Sequence, residues 1–257
     1  MKQLLNYKFL ALVTCFVVAA CNNGDKTTET TTTNEDTTQG NLVTTDNSQT
    51  MDVTKIAPDF YKVVKDTMGI RVLEVNYKPG DSSAMHSHPD LAAITTGGGE
   101  LTFYGKDGAK MVNEIKTGTT LIRPAETHGA KNTGKTTVKV MLVEVNRPTQ
   151  TTSQDAATDA TKAAPTVYKL KNDTLGIRVI EINFRPGQSA ALHSHPDNVL
   201  YVVDGGTAEF TAKDGTKNAA ELKSGMVMVA PPESHSVKNT GKTTMKGFLV
   251  EVNRPSN

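Results

Sequence analysis

Short alternations of apolar and polar residues recur along the chain and predict β-strands. Residues 70–77 read Ile-Arg-Val-Leu-Glu-Val-Asn-Tyr, a period of two that ends at Lys78-Pro79-Gly80. Alternate side chains of a strand share a face, so such a stretch buries one face more than the other. A helix would instead repeat its apolar residues every three to four positions, and beyond the N-terminal region we find no such period.

Further apolar runs follow, and each ends in turn residues. In the second half they lie at Val199–Val203, Glu209–Ala212, Gly225–Ala230 and Lys246–Val252, with turns at Asp204-Gly-Gly, Lys213-Asp-Gly and Asn239-Thr-Gly-Lys. Many short strands at regular spacing indicate a sandwich or a barrel. The sequence therefore predicts an all-β fold.

The strand pattern occurs twice. Tyr61 corresponds to Tyr168 and Pro148 to Pro255, a constant offset of 107 positions without a gap. Roughly half of the paired positions are identical, which indicates internal duplication. Each copy is long enough for a small barrel with its own core. We predict domains at 57–148 and 166–257, joined by a Thr- and Ala-rich linker at 149–165.

The N-terminal region has a different composition. Residues 1–20 place Lys2 and Lys8 before a short apolar run, as a signal peptide does. The ending Val18-Ala-Ala-Cys21 resembles a bacterial lipobox, which implies lipidation of Cys21 and a lipid-anchored protein of the cell envelope. An ordinary secretory signal is the alternative. Residues 21–56 are rich in Thr, Asn and Asp, and we interpret them as a disordered tether.

Net charge excludes one class of partner. The formal net charge is +1, and no run of Lys and Arg forms a basic patch for nucleic acid. The expected partners are a small-molecule ligand and, through the lipid anchor, a membrane. The sequence leaves the oligomeric state open.

All six histidines fall into two copies of one pattern: His86, His88 and His128 in the first, and His193, His195 and His235 in the second. The first two of each set are two residues apart, so they share a strand face. The third follows a Pro-containing turn where another strand should begin. Three converging imidazoles predict a site for a divalent transition metal such as Fe, Mn, Zn or Ni. The alternative is surface or core histidines without a ligand.

These motifs resemble those of the cupin superfamily. The spacing from Gly187 to His193-Ser-His-Pro-Asp and on to Gly206 is similar to the first cupin motif, and Gly225, Pro231 and His235 resemble the second. The first copy matches in the same way. The resemblance implies two tandem antiparallel jelly-roll barrels, each with a metal inside its mouth. It also extends to small bacterial cupins that carry Pro-x-Glu-x-His.

The chain departs from the cupin pattern at the acidic residues. The family's glutamate ligand falls at Ala92 and Val199, so each site has three histidines and no carboxylate at that position. Glu126 and Glu233 instead stand two residues before the third histidine. Each is a candidate fourth ligand or catalytic base, and the alternative is a turn residue.

The two predicted pockets differ around equal histidine sets. Arg123 corresponds to Ala230, and an inward Arg123 would bind a substrate carboxylate. An outward Arg123 would instead be a surface charge. Tyr201 in the second copy is another candidate for substrate binding. Unequal pockets suggest either two ligands or one working site and one supporting site.

Three functional hypotheses follow. The cupin resemblance implies that three histidines leave positions for substrate and dioxygen, as in dioxygenases that act on a small anionic metabolite. The second hypothesis is a lipid-anchored binding protein for a metal or small ligand, without catalysis. The third treats the sites as relics, although relics usually lose histidines and neither copy has.

Overall fold

The computed structural model describes residues 51–148 and 158–255, which form two similar all-β domains. The predicted fold class is therefore confirmed. Residues 1–20, Cys21 and most of the predicted tether lie outside the described residues. Among those that are described, no helix is long and apolar enough to cross a membrane.

Barrel 1 contains one helical turn and nine strands. They are α1 (Val53–Ile56), β1 (Tyr61–Thr67), β2 (Ile70–Tyr77), β3 (Ser82–His88), β4 (Leu91–Gly97), β5 (Gly99–Tyr104), β6 (Lys110–Ile115), β7 (Thr120–Arg123), β8 (Glu126–Asn132) and β9 (Val138–Val145).

Barrel 2 repeats this order. Its elements are α2 (Ala160–Ala163), β10 (Tyr168–Thr174), β11 (Ile177–Phe184), β12 (Ser189–His195), β13 (Asp197–Asp204), β14 (Gly206–Ala212), β15 (Lys217–Leu222), β16 (Val227–Ala230), β17 (Glu233–Asn239) and β18 (Met245–Val252).

Each barrel consists of two antiparallel sheets. In barrel 1 the five-stranded sheet has the order β1-β2-β9-β4-β7 and the four-stranded sheet the order β3-β8-β5-β6. Barrel 2 has the equivalent orders β10-β11-β18-β13-β16 and β12-β17-β14-β15. Apart from the hairpins β1-β2, β5-β6, β10-β11 and β14-β15, neighbouring strands in these sheets are not consecutive in the chain, which is the Greek-key connectivity of a jelly roll.

The five-stranded sheets are buried on both faces. In β9, Val140 and Leu142 pack in the interior of barrel 1, whereas Met141 and Val143 pack against barrel 2. The inter-barrel core combines residues of β2, β4 and β9 with their counterparts in β11, β13 and β18. The four-stranded sheets lie on the outside, so the two barrels share one central apolar interface.

The predicted domain boundaries require a correction. We assigned residues up to 56 to the tether and residues up to 165 to the linker, yet Val53 in α1 and Ala160 in α2 are fully buried in the barrel cores. Asp52 and Asp159 cap these helices by accepting the backbone N–H two residues on. Both segments therefore belong to the barrels.

Candidate metal centres

The first two histidines of each site lie inside the barrel because of a strand irregularity. The pairing of β12 with β17 shifts register between Ala190 and His193. Residues three apart in a regular strand face opposite ways, but this bulge turns both Ala190 and His193 inward. His195 then follows on the same face, and all three are buried. β3 has the same shift between Ser83 and His86.

The third histidine comes from the neighbouring strand. His128 in β8 pairs directly with His86 in β3, as His235 in β17 pairs with His193. In each barrel the three imidazoles offer ring nitrogens that all lie within 4.8 Å of one another. The structure thus brings the six predicted histidines together in two groups of three.

Backbone carbonyls fix the orientation of the first imidazole in each site. His86 Nδ1 lies 2.7 Å from Ala84 O, and His193 Nδ1 lies 2.6 Å from Ala191 O. A carbonyl can only accept, so each Nδ1 carries the proton and Nε2 carries the lone pair. His193 Nε2 is buried and has no hydrogen-bond partner among the described residues. A metal would satisfy this nitrogen.

A buried glutamate orients the second imidazole, and the sequence analysis missed it. Glu144 Oε1 lies 2.7 Å from His88 Nδ1, and Glu144 Oε2 accepts from Arg71 Nε at 2.6 Å. Arg71 in turn contacts Asp52 at 2.7 Å. Metal-binding histidines usually donate their second ring N–H to such a carboxylate.

Barrel 2 contains the same chain of contacts. Glu251 lies 2.8 Å from His195 Nδ1 and 2.7 Å from Arg178, which contacts Asp159 at 2.9 Å. Both glutamates are fully buried. One signal could have revealed them: an acidic residue stands inside an apolar strand, Leu-Val-Glu-Val, in both copies.

Glu126 and Glu233 share the face of the third histidine. Each begins its strand, and its carboxylate lies 3.5 Å from Nδ1 of the histidine two residues on. Burial acts to raise the pKa of Glu126, but hydrogen bonds from His128 and Arg123 outweigh it and lower that pKa to about 2. The hydrogen bond from His235 likewise lowers the pKa of Glu233. A carboxylate with a lowered pKa is a weak base.

Burial keeps one histidine of each site neutral. It lowers the pKa of His86 from 6.5 to about 4, although the bond to Ala84 acts to raise it. The pKa of His193 falls to about 4 for the same reason. Neutral imidazole is the form that binds a metal, so protons do not compete for these two nitrogens at neutral pH.

Arg123 lies on the inward side of its strand. Leu121 in β7 packs in the interior of barrel 1 and Ile122 packs against barrel 2, so Arg123 shares the face of Leu121. Its guanidinium bonds Glu126 Oε2 at 2.6 Å, and 42% of the side chain is exposed. Ala230 in barrel 2 leaves Glu233 without this partner.

The structure does not place Tyr201 in the metal site of barrel 2. We assigned it to substrate binding, but it packs against the inter-barrel core, on the opposite face of β13 from the imidazoles. Ala92 and Val199, where the cupin pattern expects a glutamate, lie in the same core. A ligand from these two positions would point away from the site.

A hydroxyl network distinguishes site 1 from site 2. Tyr61 Oη lies 3.2 Å from His86 Nε2, and the Tyr77 hydroxyl lies 3.2 Å from Tyr61 Oη and 2.6 Å from Ser83 Oγ. Burial raises the pKa of Tyr61 well above its usual value, so it remains a proton donor. Phe184 and Ala190 replace Tyr77 and Ser83 in barrel 2 and carry no hydroxyl.

The donor set of each site fits a divalent transition metal. His86, His88 and His128 would hold it in barrel 1, and their counterparts would hold it in barrel 2. Three neutral ligands leave the full charge of the metal uncompensated and coordination positions open. Such a centre can bind an anion or polarise a bound oxygen atom.

Sequence comparison supports the cupin interpretation. A family model described as "Cupin domain" matches residues 180–251, which lie within barrel 2. A search of curated proteins found no match to this chain.

The arrangement of two barrels is also found in solved structures. Bacillus subtilis oxalate decarboxylase, in a structure studied for its Mn(II) centres, has a TM-score of 0.51 at 14% identity, with 74% of this chain and 70% of that chain covered. The SENS161-164DSSN mutant of the same enzyme has a TM-score of 0.55 at 15% identity, with 77% of this chain and 73% of that chain covered. At this identity the likeness establishes the fold.

Proposed function

Because this chain belongs to the cupin superfamily as a bicupin, with two cupin barrels in tandem, we propose that barrel 1 is a metal-dependent, dioxygenase-type oxidation site for a small carboxylate. Barrel 2 binds a second metal and supports the first barrel. Iron(II) or manganese(II) suits this role, since zinc has no redox chemistry.

One observation carries this proposal: three imidazoles converge in each barrel, all of them buried except the partly buried His128, and no carboxylate belongs to either ligand set. The metal supplies a positively charged centre with open coordination positions when it is bound. An anionic substrate fits such a centre better than a neutral one. The solved structures that share this two-barrel fold include oxalate decarboxylase, and oxalate is a small carboxylate.

The differences between the barrels favour barrel 1 as the reactive site. Arg123 contacts Glu126, which lies 3.5 Å from His128 Nδ1, and its guanidinium can approach a carboxylate bound there, whereas barrel 2 has Ala230 in its place. Tyr61 offers a protonated hydroxyl 3.2 Å from His86 Nε2, whereas in barrel 2 the ring of the corresponding Tyr168 lies near His193 but His193 Nε2 has no hydrogen-bond partner among the described residues. With a metal held by His86, the Tyr61 hydroxyl would be free to donate a hydrogen bond to an oxygen of the substrate. Glu126 orients Arg123 and His128.

Oxygen uptake tests the proposal. The protein, loaded with Fe²⁺ or Mn²⁺, is offered a panel of small mono- and dicarboxylates that includes oxalate. We expect substrate-dependent oxygen uptake that persists in His193→Ala and disappears in His86→Ala. Arg123→Met should raise KM for the carboxylate. Uptake that depends on His193 alone would contradict the assignment to barrel 1.

A binding protein without catalysis is the second candidate. The lowered pKa values of Glu126 and Glu233 favour it, because neither carboxylate is a strong enough base to take a proton from a substrate near pH 7. In that case a carboxylate would bind the metal-loaded protein in a calorimetric titration and be recovered unchanged, with no oxygen consumed.

We further propose that lipidation of Cys21 anchors the protein in the bacterial cell envelope, on the periplasmic side of the outer membrane or at the cell surface. The lipobox-like Val18-Ala-Ala-Cys21 supports this. The wild type should partition into the detergent phase of a Triton X-114 extract, and Cys21→Ser should partition into water. A wild type found in the aqueous phase would contradict the anchor.

A further inference from the structure

Two arginines cross the junction between the barrels. Arg254, just after β18, contacts Asp90 of barrel 1 at 2.6 Å, and Arg147, just after β9, contacts Asp197 of barrel 2 at 2.6 Å. Their side chains are only 1% and 0% exposed. Each arginine thus neutralises an aspartate of the other barrel in a buried position, where a lone charge would be costly.

Asp90 holds the three segments of site 1 together. It follows His88-Pro89 at the end of β3. Its Oδ1 accepts the backbone N–H of Ala125 at 2.7 Å, directly before Glu126 and three residues before His128. Its carbonyl accepts the N–H of Val145, the residue after Glu144, at 2.8 Å. Asp90 therefore joins the end of β3, which carries His86 and His88, to the start of β8, which carries His128, and its backbone carbonyl bonds the residue after Glu144 in β9.

Arg254 is itself held rigidly. Its Nε donates to the carbonyl of Leu175 at 2.7 Å, and its Nη2 contacts both that carbonyl and Asp90. Arg147 Nη1 also donates to the carbonyl of Arg254 at 3.1 Å. Arginine has five donors in a planar fork, so a lysine could not keep these bonds together.

The contact between Arg147 and Asp197 lacks a hydrogen bond that the contact between Arg254 and Asp90 has. Pro232 stands where barrel 1 has Ala125, and proline has no backbone N–H. Asp197 therefore cannot hold the start of β17 as Asp90 holds the start of β8. Arg147 fixes Asp197, but Asp197 has no hydrogen bond to residue 232 that would carry this effect to His235.

We propose that Arg254 of barrel 2 is a positioning residue for the metal centre of barrel 1, and that Arg147 has a weaker effect on the centre of barrel 2. The metal site of barrel 1 is then incomplete without the second barrel. This inference rests on metal binding by the triads and is independent of the reaction.

Co²⁺ binding tests the inference in a chain with one working site. In a His193→Ala background only site 1 remains, and Co²⁺ affinity and visible absorption are measured by titration. Adding Arg254→Met should weaken Co²⁺ binding about tenfold, the lower end for a residue that supports a ligand. The absorption band should also change, because His128 shifts relative to the other two imidazoles.

Matched variants separate positioning from general loosening of the interface. Asp197→Asn in the same background breaks the other ion pair and should leave Co²⁺ binding at site 1 unchanged. Asp90→Asn keeps the shape of the side chain, and it should weaken Co²⁺ binding at site 1 as Arg254→Met does. This variant replaces Arg254→Met as the test if Arg254→Met fails to fold. In a His86→Ala background, Arg147→Met should weaken site 2 by a smaller factor.

Three outcomes would overturn the inference. They are an unchanged affinity and spectrum in folded Arg254→Met or Asp90→Asn, an equal loss in Asp197→Asn, and a larger loss at site 2 than at site 1. A His193→Ala parent that takes up no Co²⁺ would instead refute metal binding by barrel 1, and the inference with it.

Discussion

At the residue scale, the centres depend on carboxylates that do not face the metal. Glu144 and Glu251 each accept a hydrogen bond from one imidazole with one carboxylate oxygen and from an arginine with the other. This arrangement fixes the tautomer and the ring angle of His88 and His195. A glutamate in this position supports a ligand instead of replacing one.

Replacing Glu144 should weaken the site without unfolding the barrel. In a His193→Ala background, Glu144→Gln should lower metal affinity about 10- to 100-fold, because the amide nitrogen cannot accept from Arg71. The measurement is calorimetric titration with Mn²⁺. Glu114→Gln, at an exposed position of β6, is the control and should bind as the parent does. Equal affinities in both variants would contradict this role.

Buried neutral histidines should make the metal-free protein sensitive to acid. Burial lowers the pKa of His86 and His193 to about 4, whereas in the unfolded chain each titrates near 6.5. Between pH 6.5 and 4 the unfolded state therefore binds more protons, and stability falls as pH falls. Each histidine contributes a loss of roughly 3 kcal/mol, complete near pH 4.

Urea unfolding of the chelated protein at several pH values checks this expectation. The double variant His86→Asn, His193→Asn carries no titrating group at these positions, so its free energy of unfolding should change less between pH 6.5 and 4. If the free energy of unfolding fell equally with pH in the variant and in the wild type, these two histidines would not be the cause of the acid sensitivity.

At the element scale, the short helices before each barrel are structural parts. Val53 of α1 is fully buried, and Asp52 both caps the helix and contacts Arg71. The order His88–Glu144–Arg71–Asp52 thus connects α1 with the metal site. The bulges in β3 and β12 are equally necessary, because a regular strand would turn His86 and Ser83 to opposite faces.

Removing α1 should destabilise barrel 1. A chain that starts at residue 57 loses the burial of Val53 and the contact of Asp52, and we expect its free energy of unfolding to fall by about 2 kcal/mol or more. Urea denaturation compares it with a chain that starts at residue 51. A chain that starts at residue 22 is the control and should match the latter. Equal stability of the chains from 51 and 57 would refute the role of α1.

At the scale of the whole molecule, one apolar interface joins two sheets that are each buried on both faces. Barrel 2 alone would expose Ile177, Val179, Val199 and Val250 on one sheet face. Exposed apolar patches of this kind drive association. The duplicated sequence also means that Arg254 of one copy could meet Asp197 of another, as Arg147 does within the chain.

We therefore expect residues 158–255, produced alone, to form a twofold dimer. Sedimentation equilibrium would give the mass of the dimer, and the complete two-barrel unit would behave as a single particle under the same conditions. Val250→Asp should prevent dimer formation, because it places a charge in the centre of the face. A well-folded monomer of the unmodified barrel at high concentration would contradict this expectation.

The sequence alone determined the strands, the duplication and the six histidines. Alternation of apolar residues, Gly and Pro turns and a constant offset are local properties, and the chain repeats each of them. Thus β2, β13 and β18 lie where the pattern predicted them. The two-residue spacing of His193 and His195 also fixed their common face, since alternation in a strand needs no tertiary partner.

Only the tertiary structure decided which face is inside and which polar groups meet. Both faces of each five-stranded sheet are apolar, so periodicity could not tell that Tyr201 and Val199 face the other barrel while Glu251 faces the imidazoles. The pairing of Arg254 with Asp90 joins residues 164 positions apart. Such contacts depend on how the sheets pack, and no local pattern encodes them.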